Sequence, residues 1–277
     1  MSDRVSLKIE DGVADVRLVR TDKMNALDPA MFDALLETGE KLRTDPAVRA
    51  VVLSGEGKAF CAGLDMGNFA RMKDGAGADT GGKSEGNSKE GRLEKRNRGI
   101  FNDAQYASWV WREIPVPVIA AVHGVAFGGG FQVMLGADMR YVAPDTKMSI
   151  MEIKWGLVPD MGGTQIMRHL AREDVVRELS YTGRVFSGEE AFGFGFATRV
   201  TADPLSEALA TAKEIAGKNP DAVRAMKRIY NATPYATAAD GLLMESIEQD
   251  KLIGSPNQVE AIMSNLEKRA PKFKNAG

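Results

Sequence analysis

Residues 117–136 read PVIAAVHGVAFGGGFQVMLG. Val118 to Val122 is a short run without a charge, partly β-branched, which suits a strand buried on both faces. It ends at His123-Gly124, and a helix is predicted to start inside Gly128-Gly129-Gly130-Phe131-Gln132. Glycines between a buried strand and a helix let backbone approach a ligand closely, and first-turn N–H groups carry partial positive charge. Such a place can stabilise a developing oxyanion. The plainer use of three glycines is tight strand–helix packing, and the pattern alone fits both.

Working outward, Val5 to Ile9 and Val13 to Val19 flank Asp11-Gly12, a hairpin signal. Asp28-Pro29 reads as N-cap and first residue of a helix with Phe32, Leu35, Leu36 and Leu42 on one face, stopped at Asp45-Pro46. Val48 to Leu53 is a second buried-strand candidate, closed by Gly55-Glu56-Gly57, and a helix is predicted from about Arg98 to Trp111. Met139 to Ala143 and Met148 to Ile150 read as further short strands. Strands and helices therefore alternate through residue 200, which predicts an α/β body over 1–200. Beyond it, 201–277 reads as helix only, with Ser255-Pro256-Asn257-Gln258 as a capping box opening a last helix to about Arg269. No Pro/Ser linker separates the parts, so one cooperative unit is expected.

The composition removes several classes of function. Lys+Arg 36 against Asp+Glu 38 gives a net charge of -2, too weak for a chain-wide nucleic-acid footprint. One cysteine, Cys61, and two histidines, His123 and His169, make poor metal-site material, so no metal is expected. No apolar run is long enough to span a bilayer and the N-terminus has no apolar leader core, so the expectation is a water-soluble, cytoplasmic protein without a membrane partner. The segment Met72 to Arg92 is rich in Gly, Ser and Lys and reads as a mobile loop. Within it Gly77 to Ser84 matches the phosphate-loop spacing GxxxxGK[ST], but neither flank supplies the strand and helix that chemistry needs.

A third segment, Lys58 to Asp65, follows the strand Val48 to Leu53 and mixes small residues with a single acid. KAFCAGLDM (58–66), HGVAFGGGFQ (123–132) and MEIKWGLVPDMGGTQ (151–165) together resemble the enoyl-CoA hydratase/isomerase superfamily, the crotonases. KMNALD (23–28), DPAVRAVVLSGEGKAF (45–60), FSGEEA (186–191) and NLEKRAPKF (265–273) fit as well, so the resemblance covers nearly the whole chain.

The resemblance implies a crotonase-like spiral of repeated ββα units with a helical C-terminal part used in trimer assembly, as a homotrimer or a dimer of trimers. It implies acyl-CoA thioester substrates and no separate cofactor, coenzyme A being part of the substrate. By position, the oxyanion-hole donors are the backbone N–H groups of Leu64 and Gly129. Lys23, Ala26, Ala62, Asp65 and Met66 match the coenzyme A contacts, and Phe273 and Lys274 match a tail that reaches a neighbouring subunit's coenzyme A. Glu152 matches one of the two glutamates of the hydratases; the other falls at Gln132, which can orient a group but not exchange protons. Asp160 matches a catalytic carboxylate of the dienoyl-CoA isomerases. The plainer alternatives are an N-cap for Asp160 and a surface ion pair with Lys154 or a nearby arginine for Glu152. The expected activity is hydration or double-bond isomerisation of an enoyl-CoA with Glu152 as general acid/base; the alternative is a non-catalytic acyl-CoA binder. Cys61 and His123 have no catalytic partner specified beside them and read as structural.

Overall fold

A computed structural model describes residues 3–73 and 93–276. The expected loop from residue 74 onward, with the phosphate-loop match in it, lies outside the described residues.

The hairpin forms as expected: β1 (Val5–Glu10) pairs antiparallel with β2 (Val13–Leu18), with Asp11 and Gly12 at positive φ in the turn. Asp28 caps α1 (Pro29–Thr44) by accepting from Met31 N–H at 2.8 Å. β3 (Ala50–Gly55) starts two residues later than expected because Val48 N–H is bonded into the Asp45 turn. α2 (Met66–Lys73) was not predicted. α3 (Asp103–Glu113) begins after the expected Arg98 because Asn102 and Gln105 form a reciprocal capping box, while Arg98 and Phe101 bond to each other in a preceding turn.

β4 (Val118–Val122) is followed by β5 (Val125–Phe127), α4 (Gly129–Leu135), β6 (Met139–Val142) and β7 (Lys147–Ser149). α5 (Gly163–Met167), α6 (Glu173–Thr182) and α7 (Gly188–Phe194) precede the short β8 (Arg199–Val200). Helices alone follow among the described residues: α8 (Pro204–Ala216), α9 (Pro220–Ala232), α10 (Ala238–Leu252) and α11 (Pro256–Leu266). The expected capping box at α11 is half formed. Ser255 accepts from Gln258 N–H, but the Gln258 side chain reaches Gly254 N–H instead.

The main sheet has the order β1-β2-β3-β4-β6-β8, parallel except at the β1–β2 hairpin. Its two faces are read off alternate residues. Val51, Leu53, Val118, Ala120 and Val122 face a core shared with α1, α3 and α4, filled by Phe32, Trp111 and Phe131. Ala50, Val52, Ile119 and Ala121 face Ala208, Ala212 and Ala216 of α8. The helical stretch after residue 200 thus begins by covering the sheet.

A second, smaller layer builds the site. β5 pairs with β7, and single bridges join Leu27 to Leu64, Cys61 to Ala126 and Met148 to Phe186. The second strand of each ββα turn contributes only one to three residues to this layer. That is why β5, three residues long, carries no periodic signal in the sequence.

Candidate active site

The layer of bridges fixes three segments against one another. Phe60 N–H bonds to His123 O, Cys61 N–H to Val125 O, and Phe127 N–H to Cys61 O. On the other side Ala62 N–H bonds to Met24 O, Leu27 N–H to Gly63 O, and Asp65 N–H to Leu27 O. Residues 60–65 are therefore threaded between 24–27 and 123–127. Leu64 N–H is left over: it donates to no acceptor among the described residues. So is Gly129 N–H, the first of α4, whose predecessor Gly128 bonds to Ser149 O.

The glycines explain how the two N–H groups come close. Gly63, at φ +87°, would carry a side chain pointing 2.5 Å from Phe127 O and 3.6 Å from Gly129 N. Gly128 takes φ +49°, and a Cβ on Gly130 would lie 2.3 Å from Cys61 O. Gly130 serves packing, Gly128 serves the turn, and Gly129 presents its N–H.

Glu152 opens a 3-10 turn, Glu152–Trp155, that follows β7. Its carboxylate sits 3.5 and 4.0 Å from where a Cβ of Gly128 would be, beside the residue preceding Gly129. Gln132 is 1% exposed. Its Oε1 accepts from Met161 N–H at 2.9 Å and Gly163 N–H at 3.0 Å, and its Nε2 donates to Glu152 Oε1 at 2.7 Å. The two backbone donors fix which way the amide points, so Glu152 is oriented through one oxygen. Its other oxygen, Oε2, is shut from solvent and has no hydrogen-bond partner.

Burial raises the Glu152 carboxyl pKa, and the like charge of Asp160 adds to the rise; bonds from its own backbone N–H and from Gln132 only partly offset it. A surface pair with Lys154 does not form. Asp160 is accessible to solvent yet ringed by protein on most sides, and desolvation raises its carboxyl pKa as well. It does not cap α5, whose N-cap is Gly162. The two carboxyl groups thus lie near enough for the charge of Asp160 to act on Glu152.

The remaining candidates are distributed as follows. Lys23 and Met66 are exposed, Ala26 is buried, and Ala62 is half-buried beside Met24. The Asp65 carboxylate is taken up by Arg20, at 2.7 Å, and by Gly67 N–H. Arg20 also donates to Ala26 O and lies 3.5 Å from Asp28, so it ties the 23–28 and 62–65 segments together. Sequence reasoning missed Arg20, Asn25, whose side chain donates to Glu56 O and Ala59 O, and the stack of Phe69 on Trp155 at 4.1 Å. None of these had a local signal, since each acts on residues far along the chain or in a helix that was not predicted. Phe273 and Lys274 dock elsewhere: Phe273 O accepts from Arg49, and Lys274 bonds through its backbone to Asn257. Cys61 is fully buried, its thiol donates to Asn25 O, and burial pushes its pKa up to about 12. His123 bonds to Gly57 O. No group of residues able to hold a metal ion and no helix long and apolar enough to cross a membrane occur among the described residues.

The family model described as enoyl-CoA hydratase/isomerase matches residues 8–276. A human mitochondrial protein named enoyl-CoA hydratase domain-containing protein 2 is 31% identical over 271 residues, covering 95% of this chain and 86% of that protein. Human mitochondrial Delta(3,5)-Delta(2,4)-dienoyl-CoA isomerase is 35% identical over 220 residues, 78% of this chain and 64% of that one. Among solved structures, an enoyl-CoA hydratase from Bacillus anthracis superposes with a TM-score of 0.85 at 27% identity, covering 99% of this chain and 100% of the other.

Proposed function

Because the chain belongs to the enoyl-CoA hydratase/isomerase family, whose fold it has, we propose that it is an enzyme acting on an enoyl-CoA, with double-bond isomerisation as its reaction. The thioester carbonyl oxygen lies between Leu64 N–H and Gly129 N–H. Charge gathers on that oxygen as the substrate becomes a dienolate, and one such donor is worth about 2.7–4 kcal/mol of barrier. Glu152 Oε2 removes a proton from carbon, and the dienolate is reprotonated at its other terminus by the acid form of Glu152 or by Asp160. With Glu152 as the acid the step restores its carboxylate; with a protonated Asp160 as the acid, Glu152 afterwards returns its proton to Asp160, so no group is consumed. Gln132 holds Glu152 in place and exchanges no proton.

The observation that carries this reading is the buried, partnerless Oε2 of Glu152 beside the Gly128–Gly129 turn. A pure acyl-CoA binder has no use for a desolvated carboxylate there, which costs stability unless a ligand uses it. Hydration needs a second proton-exchanging group to position water, and the matching position is Gln132.

Assembly belongs to the same proposal. α10 and its C-terminal neighbour leave Leu242, Leu243, Ile247 and Ile253 exposed, and α11 leaves Ile262 and Leu266 exposed. A trimer, alone or paired, covers such faces. The tail around Phe273 sits by Arg49, ahead of β3, whereas the Leu64 segment follows the far end of that strand. Six residues of strand put roughly 17 Å between the two ends, so a coenzyme A contact by Phe273 and Lys274 is made to a neighbouring subunit's site.

The test is a panel of 2-enoyl-, 3-enoyl- and 3,5-dienoyl-CoA esters incubated with the purified protein and followed by mass and ultraviolet spectrum. Isomers of unchanged mass are expected. A product heavier by one water, with no isomer formed, would make the protein a hydratase.

A further inference from the structure

Past the turn that anchors Gln132 lies a cleft of about 890 Å³. Gly162 forms part of its wall, two residues from Asp160 and between the Met161 and Gly163 N–H groups that hold Gln132 Oε1. The cleft therefore begins one turn of backbone away from the proton-handling residues. Trp109 packs against Gly162 in this wall: a Cβ at 162 would lie 3.4 Å from Trp109 Cε3.

The charge of the lining is unbalanced. Arg43, Arg96, Arg98 and Arg112 stand against Glu40 and Glu113, four positive groups to two negative. Arg43 is answered by Glu40 at 2.9 Å and Arg98 by Asp103 at 2.9 Å. Arg96 and Arg112 have no carboxylate partner among the described residues. Arg96 donates to Leu93 O, and Arg112 makes a 3.3 Å bond to Asn231 Oδ1. Arg112 is half-buried, with its guanidinium carbon 5.5 Å from the Trp109 ring centroid. Behind it, buried Lys227 and Arg140 share its field and that of a single carboxylate, Asp138. A half-buried guanidinium with no carboxylate partner among the described residues can receive an incoming carboxylate in a planar, charge-assisted bond.

We propose that this cleft receives the far end of the acyl chain and selects chains that end in a carboxylate, with Arg112 as the main receiving group and Arg96 assisting. The inference rests on the acyl-CoA reading above and deepens it: the aromatic wall takes the hydrocarbon stem, and the arginines take the terminal charge.

The experiment compares two enoyl-CoA esters of equal chain length, one ending in methyl and one in carboxylate. The wild-type protein should favour the carboxylate ester in kcat/KM by about ten-fold or more. Arg112→Gln should lower kcat/KM for the carboxylate ester by about ten-fold more than for the methyl ester, and Arg96→Gln should do so more weakly. Equal use of the two esters by the wild type would overturn the proposal. So would Arg112→Gln affecting both esters alike with altered sedimentation, since the guanidinium would then answer an acid on a neighbouring subunit. If neither ester is turned over, the function proposed above fails, and calorimetric binding of the two esters still decides this one: preference for the carboxylate supports it, and none overturns it.

Discussion

Glu152 and Asp160 interact through space, and that coupling has a sign. Asp160, when ionised, raises the Glu152 pKa, so the limb of the pH–rate profile that reports Glu152 ionisation lies above the ordinary carboxylate range. Asp160→Asn removes the like charge and should move that limb to lower pH in whatever rate survives; a limb that stays put or moves up would show that the two groups do not sense each other. Gln132→Glu acts on the same oxygen from the other side. The new carboxylate can still accept from Met161 and Gly163 N–H, but its second oxygen meets Glu152 Oε1 where an N–H now donates at 2.7 Å. The pair then holds a shared proton, the Glu152 limb moves up, and hydratase activity should appear with a short enoyl-CoA; a kinetic trace with no hydrated product would count against a second glutamate being what the site lacks. The motif at 151–165 singles out Glu152 and Asp160 as candidates by resemblance. It could not show that Gln132 is locked by two backbone donors, because that depends on a turn 29 and 31 residues away. Arg20 was illegible for the same reason, its partner Asp65 lying 45 residues on.

Among the elements, β4, α1 and the short strands β6 and β7 match their sequence patterns, whereas β5 and α2 have no counterpart in them. β4 is an uninterrupted apolar run because helices cover both its faces, and α1 carries its own proline start and aspartate cap. β5 and the single-residue bridges have too few residues for any period, although they hold the site together. α3 was placed several residues early because Asn102-x-x-Gln105 was not recognised as its capping box. The junction of β5 and α4 makes its own prediction. A methyl on Gly130 meets backbone, Cys61 O at 2.3 Å, whereas one on Gly129 meets the flexible ends of Leu27 and Met161 at 2.8 and 2.9 Å. Gly130→Ala should therefore cost about 1–3 kcal/mol of stability, and more than Gly129→Ala, in thermal or denaturant unfolding. Equal losses would mean that the Cys61 segment can withdraw.

At the scale of the molecule, composition and alternation gave the α/β class, but not that α8 closes the sheet's second face with three alanines. Nor could periodicity separate a helix face packed on its own chain from one left exposed, since both are apolar stripes. α10 is of the second kind, with Leu242 and Leu243 each more than half exposed. Leu242→Glu with Leu243→Glu should shift sedimentation from a trimer or larger to smaller species at micromolar concentration, since apolar burial contributes about 25 cal/mol per Å²; unchanged sedimentation would place the interface elsewhere. The most direct test of the central claim, that a thioester enolate forms between two backbone donors with Glu152 moving the proton, is exchange of the α-proton of a bound acyl-CoA in D₂O, followed by nuclear magnetic resonance. The wild-type protein should exchange it, and Glu152→Gln should slow exchange by about 10²–10⁴-fold while coenzyme A affinity stays nearly constant. Exchange that proceeds as fast without the Glu152 carboxylate would contradict that claim.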